Sequence, residues 1–171
     1  GTIEEVLAIL AAHPGECLLV AGGTDAVPNL KHRLHEPKRV VSLARVAALR
    51  GVREDAMGLH LGSLTTLSAL TRQPELLRDF PAVALAASLV ASPQIRNMGT
   101  LGGNLCLDTR CTYYNQTFFW REALGFCLKK DGVVCHVVPQ GRRCVAAHSS
   151  DVAPTLIAFG AEVEIMGPEG T

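Results

Sequence analysis

Apolar Ile3, Val6, Leu7, Leu10 and Ala11 recur at helical spacing. Thr2-Ile3-Glu4-Glu5 forms a capping box, in which a hydroxyl and a carboxylate satisfy orphan amides reciprocally. His13-Pro14-Gly15 predicts the helix stop. The continuous apolar run Cys17 to Ala21 predicts a buried strand with Cys17 in the core, cut short by Gly22-Gly23-Thr24-Asp25. A short helix over 26–34 and a strand from Arg39 to Leu43 come next. That order predicts a small parallel α/β lobe over residues 1–50.

Residues 51–171 read as a second, larger α+β lobe. Gly51 to Glu54 and Gly58 to Gly62 predict a hairpin across Asp55-Ala56. Helices are predicted over Thr65 to Arg72, Glu75 to Arg78 and Pro81 to Val90, the last apolar enough to be buried. Asn97 to Asn104 reads as a glycine-rich loop, and Leu107 to Ser149 as irregular, Cys-rich and aromatic-rich. Pro154 to Phe159 predicts a helix, Gly160 its stop, and Glu162 to Met166 a final strand.

The chain has 171 residues, 48% of them hydrophobic and 19% charged, enough apolar material for a buried core. Sixteen basic residues balance sixteen acidic ones, which disfavours a general nucleic-acid or anionic-membrane binder. No apolar run is long enough to span a bilayer, and no basic-then-apolar leader opens the visible chain, so a cytoplasmic location is expected. No Ser/His/Asp or Cys/His hydrolytic arrangement is legible. His32 and His35 share a helical turn but lack a third metal ligand nearby, and His148 is the histidine to inspect near a ligand.

Candidate chemistry lies in glycines and cysteines. A strand running into Gly22-Gly23-Thr24-Asp25 and then a helix can aim several backbone N–H groups at one anion, because glycine lets the anion approach the chain. Gly99-Thr100-Leu101-Gly102-Gly103-Asn104 could grip the same anion from the other side. Plain tight turns are the commoner use of such clusters, and neither matches the dinucleotide or P-loop pattern. Five of the six cysteines fall between Cys106 and Cys144. Cys111, Cys127, Cys135 and Cys144 are spaced by 16, 8 and 9 residues, which leaves disulfides, free thiols, zinc and an iron–sulfur cluster all open.

Three strings occur in a telling order: Leu18-Leu19-Val20-Ala21-Gly22-Gly23-Thr24-Asp25, then Gln94 through Asn104, then Ser150-Asp151-Val152-Ala153-Pro154 through Val163. Together they resemble the flavin-carrying medium subunit of the molybdenum hydroxylase family, over nearly the whole chain. The resemblance implies a two-lobed α+β FAD-binding domain, with lobes at 1–50 and 51–171. It implies that residues 18–25, Gly99, Thr100, Leu101, Gly102 and Gly103 wrap the FAD pyrophosphate, with Asn104 in the same loop and Asp151 near the flavin. It further implies partners, a molybdopterin-containing large subunit and a [2Fe–2S] small subunit, and a subunit that continues past residue 171.

The stretch between Asn104 and Asp151 spans 46 residues, longer than the family ordinarily uses, and reads as a Cys-rich insert at about 107–149. Residues 104–116 resemble the 4-hydroxybenzoyl-CoA reductase branch of the family. That resemblance implies a [4Fe–4S] cluster on Cys111, Cys127, Cys135 and Cys144, with Cys106 a buried spectator or a substitute for Cys111. Between Leu107 and Ser149 there are six Lys/Arg and three Asp/Glu, which suits an anionic cluster or simply a solvated basic face. Lys129-Lys130 and Arg142-Arg143 are candidates for docking an acidic donor such as ferredoxin, and Tyr113, Tyr114, Phe118, Phe119 and Trp120 for shielding a cluster. The expected role is electron transfer from a low-potential donor toward reductive dehydroxylation of an aromatic acyl-CoA. The alternatives are an oxidative xanthine- or CO-dehydrogenase-like flavin subunit, or a non-enzymatic Cys₄ metal-binding domain.

Overall fold

The computed structural model describes residues 1–167 and 170. Its elements are α1 (Ile3–Ala12), β1 (Cys17–Val20), α2 (Ala26–Lys31), β2 (Arg39–Ser42), β3 (Val52–Asp55), β4 (Gly58–Leu61), α3 (Leu67–Leu70), α4 (Pro74–Asp79), α5 (Pro81–Leu89), α6 (Pro93–Met98), α7 (Leu101–Leu105), α8 (Phe118–Ala123) and α9 (Ala153–Ala158), with a 3₁₀ turn at Ala47–Leu49. Contacts group them into two compact units: 1–24, 37–106 and 150–171 in one, 25–36 and 107–149 in the other. This division does not fall at residue 50.

In the first unit β1 and β2 pair in parallel, Cys17 opposite Arg39 and Val20 opposite Ser42. Glu16, just before β1, takes Lys38 at 2.6 Å and also Arg39, which tethers the two strand starts. β3 and β4 form the antiparallel hairpin expected from the sequence, Val52 opposite Leu61. α1 carries its capping box intact, the Glu5 amide donating to Thr2 Oγ1 at 3.2 Å and the Thr2 amide to Glu5 Oε2 at 3.1 Å. The core consists of Leu67 and Leu70 from α3, Leu76 from α4, Val83, Ala84 and Ala87 from α5, Val90, Leu101 and Val152, with Leu59, Phe80 and Leu156 packed against it. Each Leu or Val so buried contributes about 1.5–3 kcal/mol relative to exposure.

Several expectations are corrected. Leu19 is 41% exposed, because a two-stranded sheet leaves a face uncovered, and Cys17 is half-buried rather than core. α5 turns Leu85 and Leu89 outward, so its small residues form the buried face. The glycine-rich stretch at 97–104 is largely helical. Ser92 Oγ caps α6 through the Ile95 amide, and Thr100 Oγ1 caps α7 through the Gly103 amide. Residues 162–166 form no strand, since no neighbouring strand among the described residues offers a ladder; Val163 and Ile165 lie exposed. No helix among the described residues is long and apolar enough to cross a membrane.

The second unit has two helices, α2 and α8. Its packed nucleus is Leu34, Tyr114 and Cys127, with Cys111 against them. Arg110 and Ala147 form an antiparallel bridge that brings the two ends of the 107–149 segment together.

Candidate functional site

Within the first unit the two glycine turns touch. A Cβ built on Gly22 would lie 1.8 Å from the Met98 carbonyl oxygen and 3.2 Å from the Gly99 nitrogen, so only glycine permits this approach. On the other side a Cβ on Gly99 would stand 3.5 Å from Thr24 Oγ1. Gly23 sits at φ 72°, where a side chain is strained.

Hydrogen bonding divides the labour between the turns. The amides of Gly22, Gly23 and Thr24 make no backbone bond among the described residues. In the second stretch, 99–104, every amide but that of Thr100 is taken up within the fold. Leu101 donates to Thr65 O at 2.9 Å, Gly102 to Ser63 O at 2.8 Å, Gly103 to Thr100 Oγ1 at 3.1 Å and Asn104 to Thr100 O at 2.9 Å. The first turn therefore supplies the donors that could face an anion, and the second builds the wall beside it. Leu18, Leu19, Val20 and Ala21 lead the chain into the first turn as β1 and its exit. Buried Asn104 holds the fold together locally. Its Oδ1 accepts from Ser150 Oγ at 2.6 Å and from the Val152 amide at 3.4 Å, binding α7 to the start of α9. Asp151, between those partners, is exposed.

Asp25 belongs to the second unit. Its carboxylate accepts from Asn29 Nδ2 at 2.9 Å and pairs with Arg110.

That unit contains a small hollow of about 20 Å³, partly open to solvent, and all four candidate cysteines line it: Cys111, Cys127, Cys135 and Cys144. Tyr113, Tyr114, Lys129 and His136 complete much of the wall. Cys106 is exposed, in the other unit, and does not line the hollow, which corrects the expectation of a buried spectator. All six cysteines are unpaired. Among the described residues no three His, Cys, Asp or Glu side chains are arranged to hold a metal ion.

One sulfur of the hollow, that of Cys135, is held toward thiolate. The Val138 and Val137 amides, with Val145 as a weaker donor, hydrogen-bond the Cys135 sulfur and hold its pKa below the usual thiol range. The Ala146 amide donates to Cys144 Sγ at 3.4 Å. Lys129 Nζ stands 4.2 Å from the Tyr114 ring centre and bonds Asp108 at 2.7 Å. Burial of Asp108 opposes its ionisation, yet the Lys129 ammonium and the Thr109 amide keep its pKa low. Burial, then the Asp108 charge, push Tyr114 up to about 12.

Tyr113 and Tyr114 line the hollow, whereas Phe119 is 81% exposed and Trp120 partly so, because α8 turns them outward. Phe118 packs on Phe126 instead. Lys129 is engaged with Asp108, and Lys130 lies 3.6 Å from Asp131, so of the two basic pairs Arg142-Arg143 is the exposed one.

Sequence reasoning missed Arg121. Its guanidinium is 1% exposed, lies 5.8 and 5.7 Å from the Phe118 and Phe126 ring centres, and donates to the carbonyls of His32 at 3.1 Å and Arg33 at 3.2 Å. Asp131 stands 3.6 Å from Nη1. The only sequence signal was an arginine inside an aromatic helix, which resembles any surface cation.

The model of the FAD binding domain in molybdopterin dehydrogenase matches residues 1–171. The chain is 34% identical over 104 residues to the carbon monoxide dehydrogenase medium chain of Hydrogenophaga pseudoflava, covering 61% of this chain and 36% of that one. It is 31% identical over 156 residues to the aldehyde oxidoreductase FAD-binding subunit PaoB of Escherichia coli K12, covering 88% of this chain and 49% of that one. Among solved structures, a Cu,Mo-CO dehydrogenase matches with TM-score 0.59 at 35% identity, over 60% of this chain and 36% of that one. Quinoline 2-oxidoreductase from Pseudomonas putida 86 matches with TM-score 0.58 at 32% identity, over 61% and 36%. The chain thus spans between a third and a half of these relatives. It belongs to the family of FAD-binding domains of molybdopterin dehydrogenases, the flavin subunits of oxidoreductases.

Proposed function

We propose that this chain holds FAD at the Gly22–Thr24 turn and a [4Fe–4S] cluster on Cys111, Cys127, Cys135 and Cys144, as the electron-transfer subunit of a molybdenum-containing oxidoreductase. The observation that carries the cluster is the arrival of four cysteines, distant along the chain, at one hollow. Four thiolates are a donor set that either a cube or a single zinc ion takes, and it is the resemblance of residues 104–116 that favours the cube. Backbone amides hold Cys135 toward thiolate, and the wall also carries Lys129, paired with Asp108.

When bound, the two groups supply one- and two-electron transfer. The chain's residues position them. The three unpartnered amides of the first turn face the pyrophosphate, the Met98–Asn104 stretch fixes that turn from behind, and Asp151 is assigned to the flavin side. A molybdopterin-containing large subunit and a [2Fe–2S] small subunit complete the assembly in this reading. Exposed Arg142 and Arg143, next to Cys144, suit an acidic electron-transfer partner such as ferredoxin, a donor in the reductive reading and an acceptor in the oxidative one. Unpaired cysteines suit a reducing, cytoplasmic setting.

Two substrate readings are carried forward. The resemblance of residues 104–116 supports reductive dehydroxylation of 4-hydroxybenzoyl-CoA. The oxidative reading has broader support, since the relatives are named as carbon monoxide, xanthine and nicotinate dehydrogenases. An alignment covering 88% of the chain must also run through residues 107–149, and that relative is an aldehyde oxidoreductase subunit. We favour oxidation of an aldehyde.

An anaerobic absorbance spectrum of the full complex with dithionite titration tests the cofactor assignment. Resolved flavin bands over a broad bleachable band, the latter lost in Cys127→Ser, are expected; an unchanged broad band in that variant rejects the ligand set. Turnover of aldehydes with an artificial acceptor, against turnover of 4-hydroxybenzoyl-CoA with a low-potential donor, separates the two substrates.

A further inference from the structure

We infer that Arg96 is a positioning residue for FAD: it holds the turn between α5 and α6, and through α6 the Met98 carbonyl against which Gly22 is set. The inference rests on the reading of the Gly22–Thr24 turn as the pyrophosphate site, and not on the cluster. All the residues involved belong to the first unit. Arg96 lies in the last turn of α6, half-buried, and its guanidinium reaches back toward the end of α5. There Nη1 donates to Val90 O at 2.7 Å and to Ala91 O at 3.0 Å. Both carbonyls lie just past Leu89, the last residue of α5.

The turn so held is strained. Ala91 sits at φ 44°, in the left-handed region that a side chain disfavours. It is the only non-glycine residue at positive φ among the described residues of the first unit. Such a conformation persists where surrounding bonds over-determine it. Here the two Arg96 bonds bracket Ala91, one to its own carbonyl and one to the carbonyl before it. Glycine would adopt the same backbone without a side-chain penalty, whereas alanine needs the restraint.

α6 passes that restraint to the cofactor turn. It has six residues, too few to be stable alone, so its placement comes from its attachments. Its far end is fixed to α3, with Ser68 Oγ donating to Asn97 Oδ1 at 2.7 Å and the Leu67 amide to Gly99 O at 2.9 Å. Arg96 fixes its entry. Between these two anchors stands Met98 O, which fills the space beside Gly22. Without Arg96, Ala91 relaxes out of the left-handed region and the start of α6 moves with it. FAD then binds only the fraction of molecules in which the turn has reformed, and its apparent affinity falls by that fraction.

The test uses the full-length protein in its complex, depleted of flavin and titrated with FAD. Dissociation constants come from flavin fluorescence, and melting temperatures from calorimetry on the same samples. Arg96→Gln should weaken FAD binding by about tenfold, the scale of one left-handed residue released from restraint. Arg96→Lys keeps a donor for one carbonyl and should recover part of that loss. Ala91→Gly added to Arg96→Gln should return affinity to within about threefold of wild type, because glycine holds the turn unaided. These two variants keep the test readable where the glutamine variant alone unfolds. A lowered melting temperature in Arg96→Gln at unchanged FAD affinity makes the arginine merely structural and overturns the inference. So does failure of Ala91→Gly to restore affinity in the Arg96→Gln background. Gly22→Ala, measured alongside, separates the two levels. Weakened FAD binding there with wild-type binding in Arg96→Gln overturns the role of Arg96 alone. Wild-type FAD binding in Gly22→Ala rejects the glycine turn as the cofactor site, and the role of Arg96 with it.

Discussion

The Met98 carbonyl oxygen occupies the space that a side chain on Gly22 would need, 1.8 Å from where its Cβ would stand. Both contacting atoms belong to backbone, so no rotamer change relieves the conflict. Gly22→Ala must separate the two turns, at a cost of about 2–3 kcal/mol by the usual scale of overpacking. Gly103→Ala meets only Thr100 Oγ1, at 3.1 Å, and is exposed. We expect Gly22→Ala to lower the melting temperature and the FAD content together, and Gly103→Ala to leave stability within about 0.5 kcal/mol of wild type. Calorimetry with flavin quantitation checks both.

Arg121 should be the residue whose loss most loosens the second unit. Arg121→Met keeps the stem between Phe118 and Phe126 but removes donors from the His32 and Arg33 carbonyls. Loss of charged hydrogen bonds costs about 2 kcal/mol. Hydrogen exchange should therefore speed up by about thirtyfold over residues 118–135, with little change in 67–90.

Cys135 sets a pH dependence in the iron-free protein. Its thiolate is favoured by the Val138 and Val137 amides, so the folded pKa lies below the unfolded one. The linked stability is present above the ordinary thiol pKa and is lost as pH falls through the lowered folded value. Alkylation of Cys135, followed by mass spectrometry, should have its pH midpoint below the ordinary thiol range of about 8.5. A midpoint at or above that range would contradict the amide geometry.

The elements with local signals were legible from sequence: the Thr2/Glu5 box, the β3–β4 hairpin and the run into Gly22 all rest on neighbours a few residues apart. What was not legible depended on distant partners. Residues 99–104 read as an open cradle because their glycines are visible in sequence, whereas the acceptors of the Leu101 and Gly102 amides, Thr65 and Ser63, are some forty residues upstream. The strand expected over 162–166 had the right alternation but no partner to pair with among the described residues. The cysteine spacings matched no compact motif, and only the fold brings those four side chains to one hollow. Asp25 read as part of the flavin motif, and its bond to Arg110 spans 85 positions.

The central claim is best tested by counting iron and acid-labile sulfide, with Mössbauer spectra, in the anaerobically prepared complex for wild type and Cys144→Ser. The account predicts that the variant loses the complement of one [4Fe–4S] cube per chain and keeps its flavin. Identical iron, sulfide and spectra in the two proteins would contradict it.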